Sequence, residues 1–307
     1  MNRPGAAEGA SSLTVTLALT ATAMTAFAAN SVLTRLALAP ELIAADNFAT
    51  LRVLSGAAML WAIIAFQRHQ TPPAAQQAAG SRTPRTRADW RTAAGLFVYL
   101  AGFSFAYESL DTGTGALILF GTVQVTMLGW GLVKGERLAP LGWLGFAVAI
   151  IGLVVLVSPG ESAPDLMGAL LMLAAGLGWG IYSVLGRGVA DPLGATGWNF
   201  LLAAPVIVLL DLAAASGDGG IGGASPMGIA LALASGAIAS GLGYVVWFAA
   251  LPHLSATRAA AVQLTVPAIA ALGGVILLAE PISIRLIAAS LATLGGVGIV
   301  LLARTRH

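Results

Sequence analysis

The sequence has 307 residues, of which 58% are apolar and only 9% charged, with a formal net charge of +2. So few charges cannot cover a soluble globule, where about 25% is usual, so the chain needs lipid as its solvent. The absence of cysteine excludes disulfides and thiolate metal sites. The three histidines, His69, His253 and His307, sit at segment edges, so neither a metal nor another cofactor is expected. The pI is about 9.4, but the basic residues form no amphipathic cluster, so nucleic acid is not an expected partner. They act as topology signals instead.

Apolar runs of about 20 residues recur along the chain, long enough to cross a hydrocarbon core. They predict an all-α polytopic protein with ten transmembrane helices, since a lipid-exposed backbone must satisfy its own hydrogen bonds. The predicted spans are 13–37, 44–66, 91–110, 114–133, 141–158, 166–187, 195–215, 227–251, 256–278 and 283–303. A short tail, residues 1–12, precedes them, and a basic tail, residues 304–307, follows. The one long connection, residues 69–88, is rich in Pro, Gln, Ala and Arg and reads as a flexible linker.

Arg68, Arg82, Arg85, Arg87 and Arg91 around that linker place it in the cytoplasm by the positive-inside rule. Alternating sides from there puts twelve of fifteen basic residues inside and both termini in the cytoplasm. The predicted outer loops are acidic, with Glu108 and Asp111, Glu161 and Asp165, and Asp211 and Asp218. Arg3, the first apolar run and Ala26-Phe27-Ala28 also look like a secretory signal with its cleavage site. The run is long for a signal, and it has a partner deep in the chain.

That partner is part of an internal repeat. Phe27-x-x-Asn30-Ser31-Val32-Leu33-x-Arg35 recurs as Trp179-x-x-Tyr182-Ser183-Val184-Leu185-x-Arg187, and Asn47-Phe48 recurs as Asn199-Phe200. Gly102-Phe103, Tyr107 and Leu110 match Gly243-Tyr244, Phe248 and Leu251, and Gly129, Glu136 and Gly152 match Gly273, Glu280 and Gly296. The order is collinear over five helices, which predicts two five-helix repeats, residues 13–158 and 159–303. An odd number of spans per copy inverts the second relative to the first. That is an architecture of secondary transporters, with the solute path between the halves near mid-membrane.

Trp179-Gly180, the basic residue ending that helix, Lys134-Gly135-Glu136, Ala279-Glu280-Pro281 and the downstream Gly152 and Gly296 resemble the drug/metabolite transporter superfamily, specifically its EamA branch. The resemblance covers nearly the whole chain and implies a bacterial inner-membrane exporter of amino acids and related metabolites, the YddG-like aromatic amino-acid exporters among them. Phe27-Ala28 stands where the family often has Trp-Gly.

Residue chemistry supplies candidate cavity groups. Tyr99, Phe103 and Tyr107 share one face of the third helix, and Tyr244, Trp247 and Phe248 answer from the eighth. Two such faces suit an apolar or aromatic solute, although interhelix packing explains them as well. Phe27, Asn30 and Ser31 with Trp179, Tyr182 and Ser183 give one polar and aromatic patch per half, and polar groups inside a span commonly face a bundle interior or wet cavity. Each serine can instead bond its own helix backbone. Gln124 and Gln263 suit the ends of a zwitterion or serve as helix-to-helix glue. Arg52, alone among basic residues well inside a span, is a carboxylate partner in one reading. In the other it snorkels or pairs with Asp46 or Glu41. Glu136 and Glu280 are expected to brace the start of the next helix.

No carboxylate is placed near mid-membrane, so facilitated export or exchange is expected rather than proton coupling. The expected partners are a small amino-acid-like solute and the bilayer, with a monomer as the starting expectation. Other uncharged apolar metabolites or drugs are an alternative cargo. An intramembrane lipid-processing enzyme is the alternative from another class, and it would need a histidine, a carboxylate cluster or an Arg-rich phosphate site that the sequence lacks.

Overall fold

The computed structural model describes residues 5–70, 90–160, 162–186, 189–214, 223–254 and 256–303. Residues 71–88 of the predicted linker, most of the two tails' charged residues, Glu161 and Arg187 lie outside this range. Among the described residues all regular structure is helical. Ten helices follow in order: α1 (Gly5–Leu38), α2 (Ala45–Gln70), α3 (Trp90–Ala106), α4 (Thr112–Val133) and α5 (Pro140–Val157). The second five are α6 (Leu166–Leu185), α7 (Pro192–Ala214), α8 (Pro226–His253), α9 (Ala256–Gln263 continued by Val266–Leu278) and α10 (Ile284–Ala303). Nine of these are long and apolar enough to cross a bilayer, and α3 is shorter at 17 residues.

Large aliphatic side chains stand on the outside of the bundle as well as in its core. Leu, Ile and Val side chains such as Leu141, Ile151, Leu209, Ile276 and Leu302 stand outward. Tyr99, Phe103, Tyr107, Phe200 and Tyr244 are enclosed. This is the pattern of a protein whose outer solvent is apolar, since lipid offers no reason to hide leucine. The principal packing partners are α5 with α10, α3 with α6, α4 with α6, α2 with α7, α2 with α8, α4 with α9, α1 with α9, α1 with α8, and α3 with α7.

Close crossings are set by glycine. A Cβ on Gly145 of α5 would lie 2.6 Å from the Gly296 carbonyl oxygen, and one on Gly296 would lie 2.5 Å from that of Gly145. The two backbones are therefore in direct contact, which only glycine permits at both positions.

Two helices depart from regular geometry. In α8, Ser235–Leu242 is a π-helical stretch between the α-helical segments Pro226–Ala234 and Gly243–Ala250. Its wider turn brings Gly236 onto the backbone of Arg52 and the Ser55 hydroxyl in α2. In α9 the helix breaks between Gln263 and Val266, and Pro267, which lacks an N–H, opens the second segment. After the second segment Ala279 adopts a left-handed conformation with φ 54°, and after α4 Gly135 does so with φ 90°. Each turn is followed by a glutamate.

Candidate functional site

The site is built from five helices, α1, α3, α4, α6 and α8, whose aromatic residues converge. Tyr99 and Phe103 are one turn apart on α3, with centroids 5.4 Å apart, and Tyr107 continues the ladder 4.8 Å beyond Phe103. Trp179 of α6 packs on Tyr99 at 4.8 Å and stacks on Tyr244 of α8 at 5.2 Å with an interplanar angle of 20°. Phe27 of α1 closes the far side, 5.9 Å from Tyr244 and 6.0 Å from Trp247. Of these, Phe27, Tyr99, Phe103, Trp179 and Tyr244 line a narrow cavity of about 20 Å³, with Asn30, Phe120 and Ser240 also on its wall.

Its polar core is a short chain of hydrogen bonds. Ser235, at the start of the π-helical stretch, donates to Asn30 Oδ1 at 2.5 Å. Asn30 Nδ2 donates to the Tyr99 hydroxyl at 3.3 Å. Arg52 Nη2 donates to the same hydroxyl at 2.8 Å. Arg52 is fully buried, with its guanidinium carbon 4.4 Å from the Phe103 centroid and 5.1 Å from that of Tyr99. It neither snorkels nor pairs with Asp46 or Glu41; the Tyr99 and Phe103 rings of α3 pack against it instead. Its Nε and Nη1 have no hydrogen-bond partner.

Of the sequence candidates, Asn30, Tyr99, Phe103, Trp179 and Tyr244 line the cavity. Trp247 and Tyr182 stand behind it: Trp247 edges onto Phe27, and Tyr182 packs 5.2 Å from Trp179 while its hydroxyl pairs with Thr196 at 2.9 Å. Tyr107 is turned away, its hydroxyl donating to the Thr112 carbonyl at 3.3 Å, and Ser31 is buried beside it. Ser183 bonds its own helix, donating to the Trp179 carbonyl at 2.7 Å. Gln124 joins α4 to α9 through the Ala260 carbonyl at 3.4 Å, and Gln263 ends the first segment of α9; neither lines the cavity. Phe120, Leu119, Ala239 and Ser240 line it without having been singled out. The run Ser235-Gly-Ala-Ile-Ala-Ser240 of small residues flanked by apolar ones was the available signal for the last two.

The acidic residues also depart from the simplest expectations. Asp211 belongs to the last turn of α7 and is buried rather than standing in an outer loop. Glu280 does not brace α10, the helix after it. Its Oε2 accepts from the Thr112 N–H at 2.8 Å and its Oε1 from the Thr112 hydroxyl at 3.1 Å, so it caps α4. Arg35 of α1 joins that cluster, donating to Glu280 at 3.3 Å and to the carbonyls of Tyr107 and Glu108 at 3.0 and 2.9 Å. In the α3–α4 connection, burial and the nearby Asp46 push the Glu108 carboxyl above the usual range, while the Ala45 N–H eases it. At the α6 N-cap, bonds from the Gly168 N–H and then the Ser109 hydroxyl hold the Asp165 carboxyl below the usual range.

Comparison with known proteins supports a membrane transporter. Residues 166–302 match the EamA-like transporter family. An uncharacterized protein of Pseudomonas aeruginosa is 52% identical over 94% of this chain and 95% of its own length. An uncharacterized transporter of Archaeoglobus fulgidus is 33% identical over 55% of this chain and 60% of its own. The uncharacterized inner membrane transporter YedA of Escherichia coli is 28% identical over 34% of each chain. A protein of known crystal structure superposes with a TM-score of 0.59 at 20% identity, over 93% of this chain and 99% of that one. The chain thus carries an EamA-like transporter domain over residues 166–302.

Proposed function

We propose that the chain exports small metabolites, aromatic or hydrophobic amino acids first among them, across a bacterial inner membrane by alternating access between two inverted five-helix repeats. The observation that carries this reading is the stacked pair Trp179 and Tyr244, with Tyr99 and Phe27 around it. Aromatic walls from α1 and α3 of one half and α6 and α8 of the other surround one cavity, and such walls suit an apolar or aromatic body.

The packing supports the repeat. If each helix number is replaced by the one five places on, the list of partners maps onto itself: α1 with α8 corresponds to α6 with α3, α1 with α9 to α6 with α4, and α2 with α8 to α7 with α3. The pairs α2 with α7, α4 with α9 and α5 with α10 are their own images. Inward-biased basic residues give both termini a cytoplasmic side, and YedA's description supports the inner membrane. The resemblance to YddG-like exporters points to the same cargo. Asp211, one turn from a helix end, is poorly placed as a mid-membrane relay, so transport runs down the solute gradient.

The test is efflux from cells loaded with each amino acid by dipeptide feeding, comparing wild type with Trp179→Ala and Tyr244→Ala. Expected is efflux of aromatic amino acids that falls at least tenfold in both variants. Equal efflux with and without the protein for every amino acid would reject the cargo, and full transport in both variants would reject the cavity.

A further inference from the structure

Arg52 is a charge without a counter-charge. Arginine stays protonated in proteins, its side chain here is fully buried, and among the described residues no carboxylate lies within salt-bridge distance of it. A buried ion normally appears with a partner, because leaving water is costly and a partner recovers only part of that cost. Here the compensation is incomplete: one hydroxyl and two ring faces, with Nε and Nη1 unpaired.

The hydroxyl that Arg52 meets belongs to a cavity-lining residue. Tyr99 accepts from Arg52 at 2.8 Å and from Asn30 at 3.3 Å. Two accepted bonds occupy both its lone pairs, so its own proton remains to be donated. A phenol polarised by a cation is a donor suited to an anionic oxygen. No acidic side chain lines the cavity, so nothing charged answers a substrate's ammonium group.

Resting on the aromatic cavity proposed above, we infer that this site selects its cargo by a single carboxylate, received by the Tyr99 hydroxyl with Arg52 supplying the counter-charge, and that the amino group of an amino acid is not required. The cargo class is thereby aromatic or hydrophobic monocarboxylates, of which amino acids are the members that happen to carry an ammonium group. Arg52 acts through Tyr99 and is a positioning and electrostatic residue. Tyr99 makes the contact.

Three probes with one phenyl body separate the charges: 3-phenylpropionate carries only the carboxylate, phenylalanine both groups, and 2-phenylethylamine only the ammonium. Binding is read on the purified full-length protein by ligand-induced thermal shift and Trp fluorescence, and transport by uptake into proteoliposomes. Expected is binding of the first two within about threefold of each other, and binding of the amine at least tenfold weaker. Tyr99→Phe, which keeps the ring, and Arg52→Gln are each expected to weaken 3-phenylpropionate at least tenfold, with Arg52→Lys retaining more than Arg52→Gln.

Equal or tighter binding of the amine overturns the inference, and so does unchanged 3-phenylpropionate binding in a folded Tyr99→Phe variant. Should the amine move through the wild type and fail to move through Trp179→Ala, the carboxylate inference falls while the aromatic cavity stands. Should none of the three bind to or cross with a folded wild type, both fall together.

Discussion

The Arg35 guanidinium donates to the Glu280 carboxylate at 3.3 Å across 245 residues of sequence, tying α1 to the turn before α10. Because Glu280 also accepts both donors of Thr112, one carboxylate holds three elements together: α1, the start of α4 and the end of α9. The two ionic side chains are only 15% and 11% exposed, so water recovers little when either is lost.

Glu280→Gln removes the charge from this cluster while keeping its shape. Hydrogen bonds to a charged group contribute about 1.5–3 kcal/mol, so the variant is expected to lose about 2 kcal/mol of stability. Thermal unfolding in detergent checks this, and a melting temperature equal to that of wild type contradicts the cluster's role.

Tyr107→Phe tests whether the third aromatic of the ladder, just past the end of α3, belongs to the cavity. Its hydroxyl bonds the Thr112 carbonyl and lies off the cavity wall. Expected is a loss of about 1 kcal/mol in stability, the usual worth of one neutral hydrogen bond, with aromatic efflux within twofold of wild type. A tenfold drop in efflux with unchanged melting would return Tyr107 to the pathway.

Gly296→Ala places a methyl group where the Gly145 carbonyl and the Ala149 backbone already stand, at 2.5 and 2.6 Å. Overpacking of this kind costs about 1–3 kcal/mol. Gly298 is the control on the same helix, since a Cβ there meets nothing within 4 Å. Melting should fall for Gly296→Ala and hold for Gly298→Ala. Equal behaviour of the two would show that α5 and α10 separate freely.

Two carboxyls outside the helices give stability opposite pH signs. The Asp165 carboxyl is held low in the fold, so its contribution is present above the ordinary aspartate range and is lost as pH falls through its depressed value. The Glu108 carboxyl is held high, so the fold takes up its proton more readily than the unfolded chain does, and the fold gains as pH falls from that raised value toward the ordinary glutamate range. Accordingly Glu108→Gln should melt above wild type at pH 7 and converge with it in acid. Asp165→Asn should melt below wild type at pH 7 and converge in acid. Melting curves between pH 3 and 8 decide both, and a pH-independent difference for either variant refutes its assignment.

Much of this fold was legible in the sequence because lipid imposes a single rule on every span. Helix ends fell within a few residues of the predicted ones for α4, α5, α6 and α10, where Asp111, Pro140, Asp165 and Ser283 mark the entries. The aromatic ladder of α3 followed from spacing alone. What could not be read was direction: Tyr99, Phe103 and Tyr107 share a face, but Tyr107 stands past the end of α3, where the chain turns and its hydroxyl meets Thr112. Arg52 was ambiguous for a related reason, since snorkelling depends on what packs over the side chain. The π-helical stretch of α8 has no periodic signature, because its residues are small enough to suit either helix, and the expectation that Glu280 would brace the following helix used sequence proximity where Thr112 is a neighbour only in space.

The reciprocal contact of Gly145 with Gly296 is one of uncharged backbone on uncharged backbone. Salt therefore has no handle on it, whereas the Arg35–Glu280 contact is an ion pair of the kind that salt screens. The bundle thus holds two kinds of fastening, one of backbone packed on backbone and one of charge bridged by hydrogen bonds.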